Sequence, residues 1–141
     1  MGSAVLLLAA CGSPEGVGAL EAEAGPRDAL PAYMEEAGLD LASSRLLAES
    51  GEVAFYAAKP AADGAASAAC IVIDARDGES SWVAGCSEKA PVAAGRGGVQ
   101  AMLVPDGFDP TRPAGGGLDP NVNLLEQGWE ELHENLLVKG L

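Results

Sequence analysis

The sequence is poor in bulky side chains and in cations. Among 141 residues there are two Trp, two Tyr and two Phe, so aromatics make up 4% of the chain. Apolar residues reach 48%, but many are alanine, which gains little at about 25 cal/mol per Å² of buried apolar surface. A thin core in a small domain calls for a staple. Lys and Arg number 8 against 21 Asp and Glu, a formal charge of −13. Such a surface keeps an exposed domain soluble. It also repels phosphate backbones and anionic headgroups, which argues against nucleic-acid binding.

The usual catalytic signatures are missing as well. His133 is the single histidine, and no G-x-S-x-G surrounds a serine, so no nucleophilic triad is legible. "GGVQAM" and "RPAGGGLDP" are glycine-rich but lack the P-loop and Rossmann spacings. Acids are so plentiful that no glycosidase-like pair stands out. Two of the cysteines with one histidine do not make a zinc site. Asp106, Asp109, Asp119 and Asn121 share one region without the EF-hand spacing, and Asx turns account for them. No metal and no cofactor is expected.

No apolar run approaches the roughly 20 residues of a membrane-spanning helix. The chain does open on "AVLLLAACGS", residues 4–13. Ala4 to Ala10 is uncharged, ends in small residues and turns polar after Cys11, as the apolar region of a secretory signal does. Leu8-Ala9-Ala10-Cys11 resembles the bacterial lipobox. The resemblance implies that Cys11 takes a diacylglyceryl thioether and becomes the N-terminus of a lipoprotein on the extracytoplasmic face of the membrane. Met1-Gly2-Ser3 has no Lys or Arg, so a basic segment is expected upstream. The alternative is the first strand or helix of a cytosolic domain. On the lipoprotein reading, residues 1–10 are the signal segment and 11–26, "CGSPEGVGALEAEAGP", are a flexible tether. Residues 27–141 form one small β-rich domain.

In "PRDALPAYMEEAGLD", Asp28 suits a helix cap, Pro31 a first turn and Gly38 a stop. Leu30, Tyr33, Met34 and Ala37 share one face, which predicts a short N-terminal helix. Strand signals follow in "SRLLAES", "EVAFYAAK", "ACIVIDA", "SWVAGCS" and "GGVQAMLVP". The expected fold is mainly β, with α+β as the alternative: an antiparallel meander of five or six strands. Asp77-Gly78 marks a hairpin between the third and fourth. Residues 107–128 read as a long loop. In "GWEELHENLLVKGL", Trp129, Leu132, His133, Leu136 and Leu137 fit a helical spacing. The preferred reading there is a short helical or turn-like piece, a turn at Glu134-Asn135 and a closing strand.

Three cysteines in an exported chain leave one odd. Assigning Cys11 to lipid leaves Cys70 and Cys86 to pair in an oxidising compartment. A two-residue turn at Asp77-Gly78 sets Cys70 against Gly85. A three-residue loop centred on Gly78, or a bulge, sets it opposite Cys86, on one face with Val72 and Trp82. "RLLAESGEVAFYAAKP", "ACIVIDARDGESSWVAGC" and "VQAMLVPDGF", within about residues 44–139, resemble small exported domains of high-GC Gram-positive bacteria. Those carry a cysteine pair on neighbouring strands. The resemblance implies an architecture and no mechanism.

The functional expectation is a non-enzymatic, membrane-anchored module that binds a protein, a glycan or an envelope component. Its candidate surface is the loop 105–128, through Asp106, Asp109 and Asp119, together with Trp129. The alternatives are an envelope-associated hydrolase using acidic residues and an accessory subunit of a membrane complex. An enzyme calls for carboxylates converging in a concave pocket. A binding module calls for a flat patch or an open sheet edge.

Overall fold

The computed structural model describes residues 16–34, 38–61, 68–76, 81–115 and 117–141. Cys11, Ala37 and the Asp77-Gly78 turn lie outside the described residues. Eight strands form: β1 (Leu39–Ser50), β2 (Val53–Pro60), β3 (Ala69–Asp74), β4 (Trp82–Ser87), β5 (Val92–Arg96), β6 (Val99–Leu103), β7 (Glu130–His133) and β8 (Leu136–Lys139). They build two antiparallel sheets, in the orders β1-β2-β3-β4 and β5-β6-β8-β7. The mainly β architecture agrees with the sequence reading, but there are eight strands rather than five or six.

Alternation along the strands explains the layers. Phe55, Ala57, Ile71 and Ile73 of the first sheet meet Ala101, Leu103, Leu136 and Val138 of the second, and this is the main core. The opposite side of β2 and β3 is also apolar: Ala54, Tyr56, Ala58, Cys70 and Val72. All six residues of β3 are buried. The first sheet therefore needs a cover on its outer face, and Leu30, Tyr33 and Met34 supply it. The second sheet has the same need. Met102, Val104 and Leu137 on its outer face lie under Phe108, Leu118, Leu124 and Trp129.

The N-terminal cover is not the expected helix. It makes single 3-10 turns at Pro26–Asp28 and Ala32–Met34. Pro31 disfavours an α conformation at Leu30, so a helix begun at Asp28 cannot run through. Asp28 still caps, but across elements as well as locally. It accepts from the Gly25 N–H at 2.7 Å and from the Leu46 N–H at 2.8 Å. Arg45 Nε reaches the Ala22 carbonyl at 2.8 Å, and Ser44 Oγ reaches that of Asp28 at 2.7 Å. The bond from the Leu46 N–H occupies a backbone donor of β1, an edge strand, that would otherwise be open to strand pairing.

Residues 16–26 depart from the tether expectation. Val17 and Leu20, on one side of a 3-10 turn at Gly18–Glu21, enter the main core between the sheets. Two apolar residues among Gly, Ala and Glu are a weak signal, yet a sandwich with an open side can take both. Residues 16–34 therefore form a strap that closes the sandwich and then crosses the outer face of its first sheet. At the other end, the expected short helical or turn-like piece before the Glu134-Asn135 turn is the strand β7, and the turn leads into β8. The turn and the closing strand agree with the sequence reading; the helix does not. Short apolar runs fit both periodicities.

Cys70 stands directly opposite Cys86 in the β3–β4 ladder, and the two form a disulfide. Cys70 shares its face with Val72 and Trp82, as the alternative with a three-residue loop or a bulge requires. The bond ties an edge strand to the centre of its sheet.

Two measurements test this account. Replacing both cysteines by alanine lowers the unfolding free energy by about 3 kcal/mol, the loop-closure value for a separation of 16 residues. Met34 is 0% exposed, so Met34→Ala costs about 2–5 kcal/mol in urea unfolding. A solvent-exposed residue in that place would move stability by less than about 0.5 kcal/mol.

Candidate functional site

The outer face of the second sheet divides into a covered end and an open end. At the covered end, Met102 and Leu137 lie under the long loop. Toward the open end the strands carry small or polar residues, with Gly95 opposite Gln100 and Gln100 opposite Lys139. The β5–β6 hairpin turns on Gly97 and Gly98, both at positive φ (57° and 91°), the backbone of a two-residue primed turn.

Trp129 is brought to this end by a short, capped turn. Asn123 Oδ1 accepts from the Leu125 N–H at 3.0 Å and starts the 3-10 turn Leu124–Gln127. Gly128 ends it in the left-handed region, at φ 99°. Trp129 then lies half-buried at the entry to β7, with Lys139 Nζ 6.0 Å from its ring centroid, within cation–π range. Trp129 and Gln100 line an open groove with Ala93, Ala94 and Gly95, of about 310 Å³. None of the five lining residues is charged.

The acids of the long loop do not join Trp129 in this groove. Asp109 accepts from the N–H and hydroxyl of Thr111 at 2.9 and 2.6 Å, and Asp119 accepts from the Asn121 N–H at 2.9 Å. Both are Asx turns. The Thr111 bonds hold the exposed Asp109 carboxyl below its usual range. Asp106 has a larger structural task. Its Oδ1 accepts from the Gly18 N–H and from Asn135 Nδ2, both at 2.9 Å. Asn135, 0% exposed, also accepts from the Ala19 N–H at 3.1 Å and donates to the Val104 carbonyl at 2.9 Å. His133 Nδ1 accepts from the Asn135 N–H at 3.0 Å. This clasp pins the strap to the β6 and β8 ends of the second sheet. The expected surface of Asp106, Asp109, Asp119 and Trp129 therefore resolves into turn formers, a clasp residue and one groove residue.

A second polar cluster had no signal in the sequence. The buried Asp74 accepts from Tyr33 Oη at 2.9 Å on both oxygens and from the Arg76 N–H at 2.8 Å. Burial, then the hydrogen bond and charge of Asp74, push the Tyr33 hydroxyl up to about 12. Arg76 adopts φ 59°, the single positive value at a non-glycine residue among those described. Its guanidinium lies 2.6 Å from Glu49, which also pairs with Arg27. The hydrogen bond from Arg76, and then that from Arg27, hold the Glu49 carboxyl below its usual range. Arg27 and Tyr33 belong to the strap, so this cluster latches it to the ends of β1 and β3. A buried carboxylate requires such donors.

No group of three or more His, Cys, Asp or Glu side chains suited to a metal ion occurs among the described residues. None of their helices is long and apolar enough to cross a membrane. A scan against protein-family models and searches of curated proteins and solved structures return no match to the chain.

The strap predicts a pH dependence. Burial raises the Asp28 pKa, but the Gly25 and Leu46 N–H bonds and the Arg45 charge outweigh it, and the balance lies below the usual value. Ionised Asp28 thus stabilises the fold above its unfolded pKa of about 4, and that contribution is lost as pH falls through the folded value. Asn at this position has one acceptor for two N–H groups. Asp28→Asn should cost about 1–3 kcal/mol at neutral pH and flatten the acid side of the stability profile, read by urea unfolding at stepped pH.

Proposed function

We propose that the protein is a lipid-anchored, extracytoplasmic binding module that acts through the groove beside Trp129 and not through the acidic loop. The observation that carries the reading is the Cys70–Cys86 bond. Structural disulfides persist in oxidising compartments, and the Leu8-Ala9-Ala10-Cys11 run gives the third cysteine a role there. The groove supports the binding part. It is an uncharged, open concavity on a sheet face, whereas Asp106, Asp109 and Asp119 are engaged in turns and the clasp.

Intact-mass analysis of the protein extracted with detergent from its native membrane tests the anchor. The expected species starts at Cys11, carries an added acyl mass and exposes two thiols only after reduction. A full-length, unmodified chain in the soluble fraction with three free thiols overturns the proposal.

A further inference from the structure

We infer that the Trp129 groove takes a neutral oligosaccharide, laid along the end of the second sheet that lies farther from the membrane. The inference rests on the binding-module reading above and adds the ligand class and the orientation.

The ligand class follows from the lining. Ala93, Ala94, Gly95, Gln100 and Trp129 carry no charge, on a protein of formal charge −13. Lys139 beside Trp129 and opposite Gln100 is one cation at the margin of the groove, set against a surface that repels anions as a whole; a cationic ligand meets that lysine and finds no carboxylate in the groove. The residues present suit a ligand with an apolar face and hydroxyl groups around its edge. An indole offers an amphipathic surface against which the C–H face of a pyranose can stack. Gln100 offers both amide donors and an acceptor for equatorial hydroxyls. Ala93 and Gly95 keep the floor low enough for a ring to approach. The volume of about 310 Å³ is at the lower end for small-molecule sites, and the open form suits a segment of a longer chain.

A peptide fits less well. Strand addition needs a free sheet edge, and at β5, the edge strand that lines the groove, β4 comes close: a Cβ on Gly85 would lie 2.8 Å from the Ala93 carbonyl oxygen. Helix docking needs large apolar anchors, and Ala93, Gly95 and Gln100 are the exposed floor here.

The orientation follows from the clasp. The Gly16 carbonyl accepts from the Asp106 N–H, and Gly18 and Ala19 bond to Asp106 and Asn135. The chain thus enters the domain where β6 ends and β8 begins. Gln100 and Trp129 lie at the opposite end of those strands, about 10–13 Å away at 3.3 Å per residue over three or four residues. The stretch from Cys11 to Gly16 reaches at most about 18 Å. A lipid on Cys11 therefore keeps the Asp106 end, on average, nearer the bilayer than the groove.

The test uses the full chain with Trp82→Phe, so that Trp129 alone reports. Neutral hexasaccharides of α-glucan, β-glucan, mannan and chitin type are titrated while its emission is read. At least one is expected to shift the emission saturably. Gln100→Ala and Ala93→Phe, both on the exposed strand surface, should then weaken binding about tenfold or more, as should Trp129→Ala. Oligogalacturonate and an unstructured peptide should give no saturable change. The inference is overturned if no neutral sugar moves the emission, if Ala93→Phe and Gln100→Ala bind as the parent does, or if the peptide or the acidic sugar takes the groove. An acylated Cys11 without sugar binding leaves the anchor and removes this ligand. Sugar binding by a chain without lipid keeps the ligand and removes the anchor.

Discussion

The fold depends on burying both faces of its strands with small side chains. β3 is buried at every position and β2 from Ala54 to Ala58, so a two-sheet sandwich alone would leave an apolar surface on each outside. An exposed surface of that kind invites association. The chain resolves this by covering each outer face with irregular backbone: the strap on one side, the loop from Phe108 to Trp129 on the other. Irregular segments must satisfy their own polar groups when they lie against a sheet. That requirement explains where the charged and amide side chains go. Asp28, Asp74, Asp106 and Asn135 each accept from backbone or side-chain donors of a neighbouring segment.

This division of labour also explains which parts were legible beforehand. β2 and β3 announce themselves by alternation and by β-branched residues; the β3–β4 hairpin was legible too, but it left Cys70 facing either Gly85 or Cys86, and the ladder settles on Cys86. β5, "VAAGR", has no such signal. Its best clue was Gly97-Gly98, which serves as a primed hairpin turn but reads equally as the start of β6. β7 is four residues long, with two of them exposed acids. Its existence is decided by pairing with β8, a tertiary fact. The strap was obscured for a related reason. Val17 and Leu20 are sparse in a Gly, Ala and Glu background. Their burial depends on a gap between sheets that local sequence cannot reveal.

The candidate site shows the same limit in a sharper form. Aspartates attract functional readings because their chemistry is visible in a sequence. Here Asp109 and Asp119 close local turns and Asp106 clasps the strap, all uses available to any Asp near a free N–H. Trp129 was visible as an aromatic at the end of the long loop, but its partners were not. Ala93, Gly95 and Gln100 carry little signal singly, and they meet Trp129 only through the β5-β6-β8-β7 order. The Tyr33–Asp74–Arg76 cluster was equally hidden, since it joins residues from the strap and β3 that no spacing relates.

The groove's position on a ladder has a physical consequence for the binding proposed there. Gly95 and Gln100 are paired within the β5–β6 hairpin, and Trp129 sits between a capped turn and β7, with Lys139 against its ring. A ligand meeting such a surface orders few side chains, so less of the interaction energy is lost to conformational entropy. The close approach of β4 at Gly85 also occupies the edge of β5 that a competing strand would seek. The disulfide contributes at the same corner, because it fixes β4 to β3 while β4 lies against β5. A chain with so few large side chains cannot hold an exposed sheet face rigid by core mass alone. It does so with one covalent bond, a clasp and a latch, each at a different boundary of the sandwich.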